Sequence, residues 1–312
     1  MNDKIYDVAV VGGGPAGLTA ALYCRRSEKS VIVFEKEVFG GQVTHSPKIE
    51  NYPGTAQMGG LDFAERLTEQ VRTHGAELEE KEITGIFKAE DNTWSLSADN
   101  EKYRAKSVII AAGVHHRTLG LENEEELEGA GVSYCAVCDG AFYRNMTVAV
   151  IGGGNSALQE AVMLSELCKK VYVVQNLDFL TGEQTLIKLL EAAPNVEIIT
   201  GTVVEKLIED GGELRAIKLA KSPDSKNNTE SKELSLDGIF VAVGLKPENE
   251  SFASVAPIDE RGYIKSDESC TLGDGLFVAG DCRTKTVRQI ATAVADGATA
   301  AVSACRYVMN LI

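Results

Sequence analysis

Two copies of one glycine-rich signature, 140 residues apart, constrain this chain more than any other feature. Asp7-Val8-Ala9-Val10-Val11 is a short apolar strand that runs into Gly12-Gly13-Gly14-Pro15-Ala16-Gly17. A helical stretch follows from Leu18 to about Arg26, then a second strand, Val31-Ile32-Val33-Phe34-Glu35. This is the strand, turn, helix and strand order that a dinucleotide-binding βαβ unit requires. Gly12 allows the tight turn, Gly14 lets backbone approach a pyrophosphate, and Gly17 lets helix and strand pack closely. The helix N-terminus, opened by Pro15 and Ala16, then faces the phosphates. Glu35 lies 21 residues after Gly14, where an acid can accept hydrogen bonds from a ribose diol. The competing reading is a glycine turn of purely structural use.

The pattern returns at Thr147-Val148-Ala149-Val150-Ile151, which leads into Gly152-Gly153-Gly154-Asn155-Ser156-Ala157. A helix follows to about Cys168, then Val171-Tyr172-Val173-Val174, and Gln175 occupies the position that Glu35 holds in the first copy. A further echo links Val108-Ile109-Ile110-Ala111-Ala112-Gly113 to Ile239-Phe240-Val241-Ala242-Val243-Gly244. The last 60-odd residues hold Gly275 to Asp281 and a closing helix, roughly Arg288 to Met309. That segment is too short to fold alone and is expected to complete the first domain. The expected fold is α/β, with two Rossmann-like, three-layer ββα nucleotide-binding domains, the second inserted into the first. The first domain is discontinuous, over 1–118 and 247–312, and the second covers 119–246. Within the second, Ser222 to Ser231 is polar, mixed in charge and contains Pro223, which predicts an exposed hairpin loop.

A length of 312 residues agrees with about two domains. The chain is 44% hydrophobic and 25% charged, an ordinary globular balance. No apolar run approaches the ~20 residues that span a bilayer. The N-terminus shows no basic region followed by an apolar stretch, so no signal peptide is expected and the location is read as cytoplasmic. The net charge of −15 argues against nucleic acid and against anionic membranes as partners.

Between the two glycine loops stands Cys135-Ala136-Val137-Cys138-Asp139. A Cys-x-x-Cys pair can form a small disulfide, and its thiolate character depends on local positive potential. The alternatives are half a zinc site or two inert cysteines. Zinc needs two more ligands, and none of the histidines at 45, 74, 115 and 116 has metal-ligand spacing, so no metal is expected. Gly140-Ala141-Phe142-Tyr143 leaves a helix start at this point open. Cys24, Cys168 and Cys305 fall in helical patterns and read as buried small apolar residues.

With these motifs in place the chain closely resembles the low-molecular-weight thioredoxin reductases over nearly its whole length. The residues that carry the resemblance are Gly12 to Gly17, Gly40-Gly41-Gln42 with Glu50-Asn51-Tyr52-Pro53-Gly54, Val132 to Gly140, Gly152 to Ala157, and Gly280-Asp281 followed by Arg288-Gln289-Ile290. The resemblance implies FAD in the first domain. Glu35 would hold the adenosine ribose, Gly41 and Gln42 would approach the flavin side, and Asn51 would lie near its ring. Gly113 would end a strand where backbone meets cofactor. Gly280 and Asp281 would lie near the ribityl and pyrophosphate region, with Arg288, Gln289 and Ile290 closing over the flavin. Cys138 would accept electrons from the flavin, Cys135 would attack the disulfide of thioredoxin or a thioredoxin-like protein, and Asp139 would act as general acid. The resemblance also implies a homodimer. It implies domain rotation about hinges near Gly113 to Leu121 and Gly244 to Asn249.

One stretch departs from the family pattern. NADPH-dependent members end the second unit's second strand with His-Arg-Arg and a further arginine, which hold the 2′-phosphate. Here Val174-Gln175-Asn176-Leu177-Asp178-Phe179-Leu180-Thr181 contains no cation and adds the negative Asp178. An unpaired phosphate dianion is poorly stabilised there. NADH is the expected donor, with Gly152, Gly154, Asn155 and Ser156 cradling the pyrophosphate and the Gln175 amide able to bond a ribose hydroxyl. NADPH and ferredoxin remain alternative donors, and a peroxiredoxin-type protein an alternative acceptor. A nucleotide-binding redox sensor without rapid turnover is the alternative from another class.

Overall fold

The structure is a computed structural model that describes residues 4–46, 48–55, 57–98, 100–226 and 231–311. In chain order the elements are β1 (Ile5–Val11), α1 (Pro15–Arg26), β2 (Val31–Glu35), α2 (Gly60–Thr73), β3 (Glu77–Glu80), β4 (Ile83–Lys88), β5 (Trp94–Ala98) and β6 (Glu101–Ile110). There follow β7 (His115–His116), β8 (Val132–Ser133), α3 (Ala136–Asp139), β9 (Thr147–Ile151), α4 (Asn155–Leu167), β10 (Lys170–Val174), α5 (Gln184–Ala192) and β11 (Val196–Ile199). The chain closes with β12 (Thr202–Asp210), β13 (Glu213–Lys221), β14 (Lys232–Ser235), β15 (Gly238–Val241), β16 (Leu245–Lys246), β17 (Thr271–Gly273), β18 (Leu276–Val278) and α6 (Ile290–Met309). It divides into two compact units, one of residues 1–115 with 246–312 and the other of 116–245.

In the first unit the strand order β17-β18-β6-β1-β2-β3 places β1 between β2 and β6, with all three parallel. The ten-residue β6 has two sets of further neighbours. Its first half pairs antiparallel with β5, and its second half pairs parallel with β18. Alternation along the strands builds the two sides of the sheet. Val8, Val10, Val31, Val33 and Ile109 pack toward α1 and α6. Ala9, Val11, Ile32, Phe34, Val108 and Ile110 pack toward Ile83, Ile86, Trp94 and Leu96 of the β4–β5 hairpin. The helices, the parallel sheet and the antiparallel ribbon make three layers.

The second unit repeats the plan. A parallel sheet runs β11-β10-β9-β15-β8, and a three-stranded antiparallel ribbon runs β12-β13-β14. Val148, Val150, Val171 and Val173 face the helical side with Leu158 and Leu164. Ala149, Ile151 and Val174 face Leu207, Ile217 and Leu234 of the ribbon. In each unit the glycine loop leaves the C-terminal end of the first strand, where neighbouring connections diverge to opposite faces. Ligands of open α/β sheets bind at that point.

The segment after β13 differs in part from its sequence expectation. Ser222 and Ser225 are buried, because the Ser222 N–H donates to Gly201 O at 2.9 Å and the Ser225 hydroxyl to Asp178. Polarity alone suggested exposure, but these polar groups are spent on internal hydrogen bonds. Residues 227–230 of that expected loop lie outside the described residues. Among the described residues no helix is long and apolar enough to cross a membrane.

Candidate active site

The first glycine loop shows which glycines serve packing and which leave space. Gly12 has φ +108°, and a Cβ there would lie 2.1 Å from Ala111 O. A Cβ on Gly17 would lie 1.9 Å from Gly12 O. Both positions exclude any side chain. Gly14 is different: its backbone is extended, and the nearest atom to a Cβ is Gly40 O at 3.8 Å. Gly14 therefore borders an open cradle at the N-terminus of α1. Glu35, at the end of β2, accepts from Gly13 N at 2.7 Å and from Glu37 N at 3.0 Å. The carboxylate is held beside the loop by its own backbone.

Gly40, Gly41 and Gly280 lie against this loop. Gly40 N donates to Gly13 O at 2.8 Å, and a Cβ on Gly41 would lie 3.3 Å from Gly14 Cα. A Cβ on Gly280 would lie 2.8 Å from Ala16 Cβ. Gly113, at φ +69°, has open space around its Cβ position. Gln42 lies in a short 3-10 turn, with its Nε2 3.2 Å from His115 Nδ1. Asn51 donates to Gln289 Oε1 at 3.1 Å, and Gln289 is also the N-cap of α6 in a capping box with Thr292. Ile290 is the first residue of that helix.

Asp281 is the electrostatic centre of this region. Its Oδ1 is buried and has no hydrogen-bond partner. Burial pushes its carboxyl up to about 6 against the pull of Lys285 and Arg288. Arg288 lies across the Tyr263 ring at 4.2 Å, and its Nε donates to Asp281 O at 3.2 Å. Behind these residues Asp296 accepts from Arg283, Lys285 and Gly280 N.

The second unit carries the dithiol. Cys135 and Cys138 are disulfide-bonded with Cα atoms 5.3 Å apart. The helical turn α3 begins at the motif itself, with Cys135 as N-cap, where the sequence had left a helix start open. Cys138 N donates to Cys135 Sγ at 3.2 Å, a contact that favours a thiolate on Cys135 once the pair is reduced. Asp139 closes the turn. Burial raises its pKa above the usual carboxylate value, opposed by a hydrogen bond from Ser133. The remaining cysteines are free and buried, and burial pushes Cys168 and Cys270 up to about 11 and Cys282 to about 12. Burial holds these three as inert thiols.

The second glycine loop keeps the shape of the first. Gly152 has φ +137°, and its Cβ position meets Ala242 O at 2.5 Å. The position around Gly154 is open, with Thr181 Oγ1 nearest at 3.9 Å. Asn155 Oδ1 accepts from Glu183 N, and Ser156 is exposed beside it on the first turn of α4. Gln175 does not copy Glu35. It is buried against Gly153, its Oε1 accepts from Asn176 N at 3.2 Å, and its Nε2 points to Phe179 O at 3.4 Å. Its amide is engaged with its own chain rather than turned outward.

Three further features escaped the sequence reading. Ser133 contacts both Asp139 and Cys135. Glu160 on α4 has a buried, unpartnered Oε2, and burial pushes its carboxyl up to about 7. An acid among Ala157, Leu158, Ala161 and Leu164 was its only sequence signal. Lys221 and Lys226 lie near enough to Asp178 to stabilise its charge, after the Ser225 hydroxyl and Lys226 N. The cation-free window 174–181 thus has two lysines, at and beyond the end of β13, whose charge acts on its carboxylate.

The model of the family described as pyridine nucleotide-disulphide oxidoreductase matches residues 6–297. The chain is 39% identical to the thioredoxin reductase of Listeria innocua, over 99% of this chain and 96% of that protein. It is 34% identical to the 34.2 kDa protein in the rubredoxin operon of Clostridium pasteurianum, over 98% of each. The crystal structure of thioredoxin reductase from Streptococcus pyogenes superposes with a TM-score of 0.92 at 34% identity, covering 98% of this chain and 99% of that one. With both chains covered almost end to end, the chain belongs to the pyridine nucleotide-disulphide oxidoreductase family, as a flavoprotein oxidoreductase of the low-molecular-weight thioredoxin reductase type with a redox-active disulfide.

Proposed function

We propose that the protein reduces thioredoxin or a thioredoxin-like protein, with electrons passing from NADH through FAD to the Cys135–Cys138 pair. The observation that carries this reading is the Cys135–Cys138 disulfide with the buried carboxyl of Asp139 next in sequence. The residues of the first unit fit FAD. The open side of Gly14 can admit a pyrophosphate, and the buried Asp281 Oδ1, with Lys285 Nζ at 3.9 Å and no hydrogen-bond donor, can accept from a hydroxyl. Glu35 can take the adenosine ribose, while Gln42, Asn51 and the 288–290 segment would border the flavin. Bound FAD would supply two-electron transfer between a hydride donor and the disulfide.

The protein's own residues then act on sulfur. Cys135, as a thiolate favoured by the Cys138 N–H, attacks one sulfur of the partner's disulfide. Asp139, protonated above the usual carboxylate range, returns a proton to the leaving thiolate. Cys138 then attacks Cys135, releases the second thiol of the partner, and the internal disulfide is restored.

The donor reading rests on charge. The window 174–181 supplies no cation for a 2′-phosphate, and the charge of Lys221 and Lys226 already acts on Asp178. A second reading, an iron–sulfur protein donor, is favoured by the inward-turned Gln175 amide and by the rubredoxin-operon relative. The net charge of −15 opposes an acidic ferredoxin at long range.

Anaerobic stopped-flow mixing of the FAD-loaded protein with NADH, NADPH and reduced ferredoxin separates these readings. Rapid bleaching by NADH, followed by thioredoxin reduction, is the expected result. Bleaching by ferredoxin alone transfers the role to the second reading. Bound nucleotide without reduction by any donor points to a sensor.

A further inference from the structure

Ser133 is the last residue of β8, a strand at the edge of the second unit's parallel sheet, where it pairs with Phe240 of β15. It is 3% exposed. Its hydroxyl has one proton to donate and lone pairs to accept. The proton goes to Asp139 Oδ2 at 2.7 Å, and the Cys135 N–H donates to Ser133 Oγ at 3.2 Å. One hydroxyl fixed by the sheet thus joins the acid to the backbone of the attacking cysteine. The Cys135 N–H can only donate, so the serine proton is directed toward the carboxylate. Asp139 Oδ2 is committed by that bond, while Asp139 Oδ1 is buried without a partner.

We propose that Ser133 is a positioning residue for disulfide exchange: it holds Asp139 by Oδ2 and leaves Oδ1 as the oxygen that takes and delivers the proton. This rests on the reading of Cys135–Cys138 as the dithiol that reduces a protein disulfide. The reduced pair begins with two protons. One passes from Cys135 to Asp139 Oδ1, leaving a thiolate. The Cys135 sulfur bonds to one sulfur of the partner, the partner's S–S bond breaks, and its electron pair stays on the leaving sulfur. That sulfur takes the proton from Oδ1. Cys138 gives its proton to the same oxygen and attacks Cys135. The mixed disulfide breaks, and the second partner sulfur leaves with that proton. The dithiol loses two electrons and two protons, and the partner gains both.

The test uses FAD-loaded enzyme reduced with stoichiometric dithionite, so that no natural donor is involved, and mixed with oxidised thioredoxin across a pH series. Ser133→Ala removes a hydrogen bond that favours ionised Asp139. The acid limb of the exchange rate, where Asp139 must be ionised to take the Cys135 proton, should move up by ~1 pH unit or more, the scale of one hydrogen bond to a charged group. The plateau should fall by ~10-fold, since Oδ1 is no longer held. Ser133→Thr, which keeps the hydroxyl, should restore the pH position. In an Asp139→Asn background, Ser133→Ala should have no further effect on that position. A Ser133→Ala profile that drops in amplitude but keeps its pH position overturns the proposal, as does a threonine variant that folds without restoring it. If the alanine variant is unstable, Ser133→Gly is held to the same outcomes. Wild-type enzyme that is reduced yet leaves thioredoxin oxidised removes the functional reading instead. The serine is then tested by the same pH series on a small aromatic disulfide, so the two failures are distinct.

Discussion

Arg283 and Asp296 form a two-pronged ion pair inside the first unit, with Nε–Oδ2 at 2.8 Å and an Nη–Oδ1 contact at 3.0 Å. Arg283 is 1% exposed and Asp296 7%. Lys285 reaches Asp296 Oδ2 at 2.9 Å, and Gly280 N donates to the same oxygen at 3.0 Å. The aspartate on α6 therefore anchors the segment from Gly280 to Lys285, which carries Asp281. Removing one partner of a buried pair leaves charge uncompensated, at a cost of about 3–5 kcal/mol. Asp296→Asn should lower the urea unfolding free energy by about that amount and reduce flavin retention after gel filtration. Full retention with unchanged stability would show that the network is not the anchor.

The same aspartate sets an acid limit. Burial raises its pKa, but the hydrogen bonds and charges of Arg283 and Lys285 together outweigh burial and leave the pKa lowered. Its stabilisation is present above the unfolded value of ~3.9 and is lost as pH falls through the lower folded value.

Asp281 behaves in the opposite sense. Its folded carboxyl titrates at about 6, above the unfolded value of ~3.9. The cofactor-free protein therefore loses stability as pH rises from ~4 through about 6, and the loss is constant above that. Asp281→Asn should be more stable than wild type at pH 8 without FAD, and the gain should disappear near pH 4. With FAD present the order should reverse, because the neutral amide oxygen that remains accepts a hydroxyl hydrogen bond more weakly than a carboxylate. Urea midpoints at the two pH values, with and without FAD, check both signs. An asparagine variant less stable than wild type at pH 8 without FAD would refute the assignment.

Much of this architecture was legible because it depends on backbone. Gly12 and Gly17 must be small, the strands beside them must alternate, and the repeat of the pattern reveals two units. The polar support was not legible. Arg283 and Asp296 are separated by a turn and the start of α6, and in sequence they resemble any surface pair. Ser133 lies six residues before Asp139, and only the return of the chain through α3 brings them together. Gln175 occupies Glu35's place in the repeat but lacks a negative charge, so its amide settles on local backbone rather than on the loop's N–H. Side-chain direction of this kind is decided by competing hydrogen bonds, which composition and spacing do not rank.

The glycines of the first loop permit a separation of folding from binding. Gly17→Ala would place a methyl 1.9 Å from Gly12 O and should unfold the first unit or leave the protein insoluble. Gly14→Ala meets nothing closer than 3.8 Å and keeps an extended backbone that alanine adopts freely. The Gly14 variant should fold with the melting temperature of the cofactor-free wild type yet retain less than about a tenth of its flavin, given the close approach of backbone to pyrophosphate. Normal flavin content in Gly14→Ala would mean that the open side of this loop is not the phosphate cradle.

Donor choice offers a gain-of-function test. Asn176 Nδ2 donates to Asp224 at 3.0 Å, and Asp178 accepts from Ser225 and from Lys226 N. Two carboxylates therefore border the end of β10, where the adenosine ribose of a nicotinamide nucleotide would bind. Asn176→Arg with Leu177→Arg supplies cations for a 2′-phosphate, and a hydrogen bond to a charged group contributes about 1.5–3 kcal/mol, or ~10–150-fold in kcat/KM. Asp224 would compete for the new guanidinium, so the pair alone should fall at the low end of that range for NADPH. Adding Asp224→Asn should raise it several-fold further, while NADH use changes by less than ~3-fold. Both nucleotides are measured as kcat/KM for flavin reduction at one ionic strength, because screening would otherwise confound the comparison. If NADPH use does not rise although the triple variant still accepts electrons from NADH, charge at the end of β10 does not select the donor. Specificity would then have to be sought in the Gln175 amide.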